Sequence, residues 1–416
     1  MRVLIAGVTY SPSLNGQAIF TTNLAEGLAK HGHEVLVVFP ANQHVRLPHI
    51  QNGVQLVPLK SASLEIIHED AYVPICFEQA LVRILKDFQP DIIHIQDHYP
   101  QSISVVRFAR WHGIKVIGTN HFMPENLAPY VPVLSKIKPI YDWLSWHWVL
   151  DVYNRTDVVA AQSQAAAEIL RSHGLRKPIY PVSCGIDLQH FQHIPDLDRI
   201  TCRARYHLDA RKTIFLFVGR VDREKRLETL IRAFQLLKRQ DIELAIAGNG
   251  AAMGELKNLV EQLKQEKRVH FLGPIVTKDL PILLNSIDIF VMPSTAELLS
   301  IATLEAMACH RPVLLANAGA LSGLVKQNVN GYLFEPGNAT DAARTIELLA
   351  DQRDRWVDMG KNSRVIAQAH SLEKTISQYE TLYQELLGKS HFSNLDSFSE
   401  SKETLSLRQN NKGKVI

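Results

Sequence analysis

The 416-residue sequence contains only four cysteines, and no two of them form a CxxC pair. This spacing argues against a disulfide scaffold and a cysteine-based zinc site, and it predicts reduced thiols in a cytoplasmic protein. Long apolar runs are also missing, since no stretch approaches the roughly 18 uncharged apolar residues of a membrane span. The chain starts directly with a strand pattern and shows no signal-peptide architecture. The cysteines are Cys76, Cys184, Cys202 and Cys309.

An excess of charge of one sign is lacking as well. Lys and Arg number 45 against 42 Asp and Glu, which gives a formal net charge of +3. This balance gives no electrostatic reason to expect a nucleic-acid partner. No HExxH sequence or Cys/His set marks a metal site, and the DxD triplet Asp196-Leu197-Asp198 lies in a predicted interdomain joint. We therefore predict neither a metal nor a cofactor.

What the sequence does contain is a regular alternation of strand and helix patterns. This alternation predicts α/β domains with parallel, doubly wound sheets. One series starts at the strand Arg2–Gly7, and a second series of the same type starts at the strand Thr213–Gly219. Two Rossmann-like domains facing across a cleft follow from this repetition. The predicted parts are 1–180, 181–370, a closing helix over 371–388 that packs back across the joint, and a disordered polar tail over 389–416.

Two glutamates eight positions apart give the strongest indication of a binding site. Glu297 follows the buried strand Ile287–Met292, and Glu305 lies on a helix predicted over Thr303–Ala308. Ligands of parallel sheets bind at the carboxyl ends of strands, and a helix N-terminus favours an anion. The segment therefore predicts a ligand with both phosphate and hydroxyl groups. The alternative is a capping glutamate followed by a solvated one.

The loop after the strand Thr213–Gly219 places two basic residues at a strand end. Arg220 follows the strand directly, and Lys225 comes five residues later. A guanidinium fork and an ammonium group both bind phosphate oxygens, so we predict that they converge on one phosphate group. The alternative is a solvated loop of mixed charge, which is our interpretation of Arg223 and Arg226.

Two positions in the first half also follow strands. Asn15 and Gly16 lie between the first strand and a helix predicted over Thr21–His31, and a glycine there permits close approach of a ligand. The GxGxxG fingerprint is absent from this loop, which argues against a nicotinamide-dependent oxidoreductase. His121 follows the strand Lys115–Thr119, where an imidazole can orient a hydroxyl or carry a proton. A plain turn and a structural histidine are the alternatives.

Aromatic residues are concentrated in one segment, Tyr130–Tyr153, which holds three of the five tryptophans. Trp143, Trp146 and Trp148 stand there with lysines nearby. Amphipathic aromatics beside lysines are typical of a membrane interface or of a site for an apolar acceptor. The alternative is a helix packed on the domain core.

These pieces together resemble the family-4 retaining glycosyltransferases of the GT-B fold, over about residues 1–388. Each piece alone is weak, and their order and spacing make the resemblance specific. The matching pieces are Pro12…Gly16, His31-Gly32-His33-Glu34-Val35, Asp91-Ile92-Ile93-His94-Ile95, Thr119-Asn120-His121, Pro181–Asp187, Phe217-Val218-Gly219-Arg220…Glu224-Lys225, Ala247-Gly248-Asn249-Gly250 and Glu297 with Glu305.

The resemblance implies that a nucleotide sugar binds the second domain and a hydroxyl acceptor the first. Arg220 and Lys225 would hold the diphosphate, and Glu305 would bind the ribose. Glu297 would bind hydroxyls of the donor sugar, and His121 would lie near the reacting sugar. The catalytic residues implied are therefore His121, Glu297, Arg220 and Lys225. The further donor-binding residues implied are Asn15, Gly16, Asn249, Ser300, Ile301, Ala302 and Thr303.

The sequence departs from the family pattern at two points. The stretch Glu297–Thr303 lacks the usual glycines, which affects the backbone path around the donor phosphates, and Ser300 with Thr303 is expected to cap the helix instead. Cys309-His310-Arg311 replaces a usual glycine. Within the family, the glycine-free stretch Glu297–Thr303 and the stretch Asn120–Glu125 are most similar to transferases that glycosylate lipids, such as diacylglycerol glucosyltransferases.

The predicted activity is transfer of a hexose from a nucleoside-diphosphate sugar to a hydroxyl acceptor, a lipid or another glycoconjugate precursor, with formation of an α-glycosidic bond. The predicted location is the cytoplasm, with contact to the inner face of the membrane. Two other functions stay open: an epimerase that acts on a nucleotide sugar without an acceptor, and a sugar-nucleotide-binding protein without catalysis.

Overall fold

The computed structural model of the chain describes residues 1–10, 16–41, 49–63, 72–75, 77–124 and 138–388. Its contacts divide the chain into two compact units. Unit 1 comprises Met1–Asn120, Val149–Val182 and the chain from Ile376, and unit 2 comprises His121–Trp148 and Ser183–Thr375. The predicted domain bounds remain a prediction, and the predicted tail lies outside the described residues.

Unit 1 is built on a mainly parallel sheet in the order β3-β4-β2-β1-β6-β7-β8-β9, with β5 paired to β4. The strands on both sides of β1 run parallel to it, as the alternation of strands and helices predicts. The strands are β1 Arg2–Ala6, β2 Glu34–Ala41, β3 Ile50–Gln51, β4 Val54–Ser63, β5 Tyr72–Pro74, β6 Ile92–Ile95, β7 Lys115–Asn120, β8 Val158–Ala161 and β9 Ile179–Pro181. The helices are α1 Gly16–Lys30, α2 Glu78–Phe88, α3 Pro100–His112 and α5 Gln164–Ser172. A further helix, α4 Lys138–Tyr153, runs from unit 2 into unit 1.

One edge of the unit 1 sheet is antiparallel, which the alternation pattern did not predict. Strands β3 and β4 form a hairpin whose turn is Asn52-Gly53, with φ of 50° and 84°. An Asn-Gly pair is favoured in such turns because both central residues require positive φ. The short turn explains the local reversal of direction in a sheet that is otherwise wound through helices.

The C-terminal helix, α13 Leu372–Leu386, packs from Ile376 onward into unit 1. A Cβ on Gly27 would come within 2.1 Å of the Ile376 side chain, so glycine permits α1 to approach this helix closely. The buried His94 ring on β6 is hydrogen-bonded to the Tyr383 hydroxyl at 2.7 Å and to Thr119 Oγ1 at 2.7 Å. These contacts account for His94 as a structural residue of the core.

Unit 2 contains an all-parallel sheet in the order β12-β11-β10-β13-β14-β15. Strands β10, β11, β13 and β14 are almost entirely buried, as expected for strands covered by helices on both faces. The strands are β10 Thr213–Val218, β11 Ile242–Ala247, β12 Val269–Gly273, β13 Ile289–Met292, β14 Val313–Ala316 and β15 Gly331–Phe334. The helices are α6 Arg199–Arg205, α7 Leu227–Leu236, α8 Met253–Gln262, α9 Leu280–Ser286, α10 Ile301–Ala308, α11 Ala339–Ala350 and α12 Trp356–Gln368.

Two helix starts differ from the sequence prediction. Helix α1 begins at Gly16, five residues before the predicted start at Thr21, because Ala18 and Phe20 are buried and tertiary packing overrides the poor helix propensity of this stretch. Helix α10 begins at Ile301 and not at Thr303, since Ser300 provides the cap. In the part of the chain that the structure describes, no helix is both long enough and apolar enough to cross a bilayer.

Candidate active site

The strand order of unit 2 identifies the edge of the sheet where a ligand is expected. Strand β10 lies between β11 and β13, and the chain reverses its winding direction at β10. Open parallel sheets bind ligands outside the carboxyl ends of the strands at such a switch point. The loop Gly219–Arg226 after β10 and the loop Pro293–Ser300 after β13 therefore form the candidate site.

Two glycines hold the loops after β10 and β11 together. Gly248 has φ of +136°, and a Cβ there would lie 1.9 Å from the Gly219 carbonyl oxygen. The Val221 amide donates to the Asn249 carbonyl at 2.9 Å, and the Ala252 amide donates to the Val221 carbonyl at 2.9 Å. This arrangement leaves Asn249 exposed beside the loop that carries Arg220.

Lys225 and Glu297 form an ion pair across the switch point. Lys225 Nζ lies 2.6 Å from Glu297 Oε1, and the two side chains are only 14% and 10% exposed. The loops also contact each other through Ser294, whose hydroxyl donates to the Glu224 carbonyl at 3.4 Å. Lys225 and Glu297 were both predicted from the sequence to bind the same ligand. The structure places them together and pairs them with each other.

Arg220 is held by two buried carboxylates of its own loop. Its Nη1 donates to Asp222 Oδ2 at 2.5 Å, and its Nη2 donates to Glu224 Oε1 at 2.7 Å. The carboxylates are 6% and 4% exposed, whereas the Arg220 side chain is 45% exposed. Sequence reasoning treated this loop as a basic site and missed both acids. The signal was present as acids at every second position, 222 and 224, after Arg220.

The glycine-free turn before α10 is formed without backbone strain. Ser300 Oγ accepts a hydrogen bond from the Thr303 amide at 3.4 Å and from Thr303 Oγ1 at 2.7 Å, so Ser300 is the N-cap. Every residue of Glu297–Thr303 is described, and none has a positive φ. The missing glycines are therefore not needed for a left-handed conformation here. Ile301 and Ala302 form the first turn of the helix.

Glu305 lies one turn further along α10. Burial raises the pKa of its carboxyl to about 7. No hydrogen bond of this carboxylate is found within the described part of the chain, so its oxygens are available to hydroxyl donors. The helix ends before His310, which adopts φ of 59° and lies in the stretch Cys309–Arg311 where the family resemblance implies a glycine. This left-handed conformation explains why glycine is favoured at that position.

The remaining predicted residues lie elsewhere in the chain. Gly16 is the first residue of α1 in unit 1. Asn15 lies outside the described residues, as does the preceding loop from Pro12. His121 is the first residue after β7, as predicted, and burial lowers its pKa to about 3, so its imidazole is neutral at pH 7. No group of three or more acidic, histidine or cysteine side chains able to hold a metal ion occurs among the described residues.

The aromatic helix α4 has a buried side and an exposed side. Trp146 is 5% exposed, as expected for a helix that packs on a core. Ile140, Trp143, Leu144 and Trp148 are 59%, 64%, 53% and 43% exposed and follow the spacing of one helix face. We call these four residues the α4 apolar face. The buried side agrees with the interpretation of a helix packed on the domain core, whereas the membrane interpretation of the exposed side stays a prediction.

Comparisons with known proteins agree with this architecture. Residues 14–190 match the family model "Glycosyltransferase Family 4", and residues 198–365 match "Glycosyl transferases group 1". The N-acetyl-alpha-D-glucosaminyl L-malate synthase of Bacillus anthracis is 25% identical, with coverage of 92% of this chain and 97% of the relative. The alpha-monoglucosyldiacylglycerol synthase of Streptococcus pneumoniae is also 25% identical, with coverage of 80% and 75%. Anabaena HepE, solved with UDP-glucose, superimposes with a TM-score of 0.73 at 19% identity and covers 92% of this chain and 99% of its own.

Proposed function

Because the chain belongs to the family-4 glycosyltransferases of the GT-B fold and is a transferase enzyme, we propose that it moves a hexose from a nucleoside-diphosphate sugar to a hydroxyl acceptor. The α configuration of the donor is retained in the product. The acceptor is a lipid or another membrane-associated glycoconjugate precursor. The single observation that carries this proposal is the Lys225–Glu297 pair at the switch point of unit 2, with Arg220 in the adjacent loop.

The donor diphosphate replaces the Glu297 carboxylate that Lys225 contacts in the ligand-free protein. Lys225 is released from Glu297 and binds a phosphate oxygen, while the exposed part of the Arg220 guanidinium binds a second one. Glu297 is then free to accept hydrogen bonds from hydroxyls of the donor sugar. Glu305 accepts from the ribose, and Asn249 and residues 300–303 complete the donor site. This exchange is favourable because a doubly charged diphosphate is a stronger partner than one carboxylate.

The chemical step is driven by stabilisation of the leaving diphosphate. Negative charge collects on the diphosphate as its bond to the donor sugar breaks, and fixed cations placed there lower the barrier. Arg220, Lys225 and the amide groups at the start of α10 supply this stabilisation, so the proposal includes no cofactor. We assign no protein nucleophile. The neutral imidazole of His121 positions the acceptor hydroxyl that attacks the sugar, and the proton of this hydroxyl passes to the leaving diphosphate.

The α4 apolar face supports a membrane-associated acceptor. Two tryptophans with two aliphatic residues on one helix face are suited to the interface of a bilayer. The similarity to a synthase of Streptococcus pneumoniae whose name specifies a diacylglycerol product also favours a lipid acceptor. We propose that this face lies at the membrane surface during transfer.

The donor is identified by a thermal-shift screen of UDP-glucose, UDP-galactose, UDP-N-acetylglucosamine and GDP-mannose, because a ligand that binds the native state raises its melting temperature. Transfer is then followed with diacylglycerol in vesicles and with soluble sugars, and the anomeric configuration of the product is read by NMR. A donor-dependent α-linked product is expected. An epimerised nucleotide sugar in the absence of acceptor would contradict the proposal, as would donor binding without turnover on any acceptor.

The membrane contact is tested by co-sedimentation with vesicles of phosphatidylglycerol and diacylglycerol. Replacing Trp143 and Trp148 by Ser is expected to reduce the bound fraction while transfer to a soluble acceptor is unchanged. Replacing the exposed Trp111 on α3 by Ser is the matched control and is expected to leave binding unchanged. Equal sedimentation of the α4 variant and the wild type would contradict the assignment of this face.

A further inference from the structure

Asp222 connects two loops of the candidate site through its two carboxylate oxygens. Oδ2 accepts from Arg220 Nη1 at 2.5 Å, within the loop after β10. Oδ1 accepts from the Ala251 backbone amide at 3.0 Å, in the loop after β11. This second loop includes Asn249, and a Cβ on Gly250 would lie 2.7 Å from Asp222 Oδ1. One side chain therefore links the exposed arginine to the neighbouring loop.

The placement of Asp222 indicates an indirect role. The Asp222 side chain is 6% exposed, and each of its oxygens accepts a hydrogen bond from the protein. The Arg220 side chain, by contrast, is 45% exposed. A ligand at the switch point would therefore contact Arg220, and Asp222 would act only through it.

We propose that Asp222 is a positioning residue that fixes Arg220 against the loop 249–251, so that the donor diphosphate meets both loops in one arrangement. This inference rests on the proposed function. It extends that function by a residue to which no role in donor binding was assigned from the sequence.

The physical reason is the entropy of a long side chain. A free arginine loses about 2 kcal/mol of side-chain conformational freedom when a ligand orders it. Because Asp222 and Glu224 hold the guanidinium before the donor arrives, this cost is met during folding and not during binding. An asparagine at 222 still accepts from the Ala251 amide, but its NH₂ group then faces the Arg220 guanidinium and cannot hold it.

A double-mutant cycle tests the inference, with the dissociation constants of UDP and GDP measured by calorimetry. The variants are Asp222→Asn, Arg220→Met and the combination of both. Asp222→Asn is expected to weaken binding of the preferred nucleotide about ten-fold, as for loss of one hydrogen bond to a charged group. In the Arg220→Met background the same change is expected to have less than about a two-fold effect, since its partner is absent.

Glu255→Gln is the matched control, because Glu255 pairs with Arg223 on the exposed side of the same loop. It is expected to leave nucleotide affinity unchanged. If Asp222→Asn melts below the assay temperature, Asp222→Glu replaces it in the same cycle. The longer side chain keeps the charge and displaces the carboxylate, so the same non-additive weakening is expected.

The outcomes separate this inference from the proposed function. If Arg220→Met weakens nucleotide binding, two results would overturn the inference alone. One is unchanged affinity in the Asp222→Asn variant, and the other is an equal effect of Asp222→Asn in the wild-type and Arg220→Met backgrounds. Unchanged affinity in Arg220→Met would instead contradict the assignment of Arg220 to the diphosphate. Failure of the wild type to bind either nucleotide would contradict both.

Discussion

The two units place buried carboxylates at the same point of the same kind of sheet and use them differently. In unit 1, Asp97 follows β6 beside the central strand β1 and accepts hydrogen bonds from the Val8 and Tyr99 amides, the Ser102 hydroxyl and the Gln17 side chain. In unit 2, Glu297 follows β13 beside the central strand β10 and pairs with Lys225. One acid is bonded by neutral groups of its surroundings, and the other by a cation.

This difference indicates which carboxylate can change partners. The donors to Asp97 include two backbone amides that are fixed by the fold, and their loss would leave buried polar groups unsatisfied. Lys225 and Glu297 are flexible side chains at the switch point. A ligand anion can replace Glu297 as the partner of Lys225, and a ligand hydroxyl can replace Lys225 as the partner of Glu297. We therefore expect Asp97 to support stability and Glu297 to support catalysis.

The largest expected effect is on turnover. Glu297→Ala removes the proposed contact to the donor sugar, and turnover is expected to fall by on the order of 10²–10³, as for other single electrostatic contacts in active sites. The variant is expected to remain folded with a lower melting temperature, because Lys225 keeps a mostly buried charge without its partner. Glu255→Ala, which removes an exposed acid of unit 2, is the control. If Glu297→Ala keeps the turnover of the wild type with a confirmed donor, the catalytic role of Glu297 would be contradicted.

The corresponding change in unit 1 is expected to act on stability. Asp97→Asn turns an NH₂ group toward two of the four donors, at a cost of roughly 1–3 kcal/mol in the free energy of unfolding. Denaturant unfolding measures this cost, and the exposed Asp87→Asn on α2 is the control. The affinity for the nucleotide is expected to be unchanged. An Asp97→Asn variant that keeps the stability of the wild type but loses nucleotide binding would contradict the structural role of Asp97.

A smaller effect is expected from pH. The pKa of Glu305 is about 7 in the donor-free protein, above the ordinary carboxyl value of about 4.3, and the ionised form is the better acceptor for ribose hydroxyls. Donor affinity should therefore rise about ten-fold from pH 6 to pH 8. UDP-glucose is the suitable probe, because its diphosphate does not titrate in this range.

Glu305→Gln should abolish this pH dependence. It should also raise the melting temperature at pH 8 more than at pH 5. The raised pKa of a carboxyl means that the wild type loses stability as pH rises from about 4.3 toward 7. A pH profile of donor affinity that is identical in the wild type and Glu305→Gln would show that another group titrates.

The repeated alternation of strands and helices was sufficient to predict the α/β fold and its two parallel sheets. The positions after β10 and β13 were predictable because ligands of parallel sheets bind at the carboxyl ends of strands, and the strand patterns there were identified. The hairpin at Asn52-Gly53 was missed because the strand patterns on both sides of it were not identified. The early start of α1 was missed because burial of Ala18 and Phe20 outweighs local propensity.

The ion pairing of the site was beyond sequence reasoning. Lys225 and Glu297 are 72 positions apart, and only their placement on adjacent strand ends shows that they meet. The clamp of Asp222 and Glu224 on Arg220 depends on the turn Arg223–Lys225, which brings acids two and four positions away onto one guanidinium. Backbone geometry decides such contacts, and residue types alone do not.

The proposed function requires that the diphosphate of a nucleotide sugar binds Lys225 and Arg220 at the switch point of unit 2. A crystal structure with the donor selected by the thermal-shift screen tests this most directly. We expect phosphate oxygens within about 3 Å of Lys225 Nζ and of the Arg220 guanidinium, with Lys225 separated from Glu297. A diphosphate bound elsewhere, or an intact Lys225–Glu297 pair beside a bound donor, would contradict it.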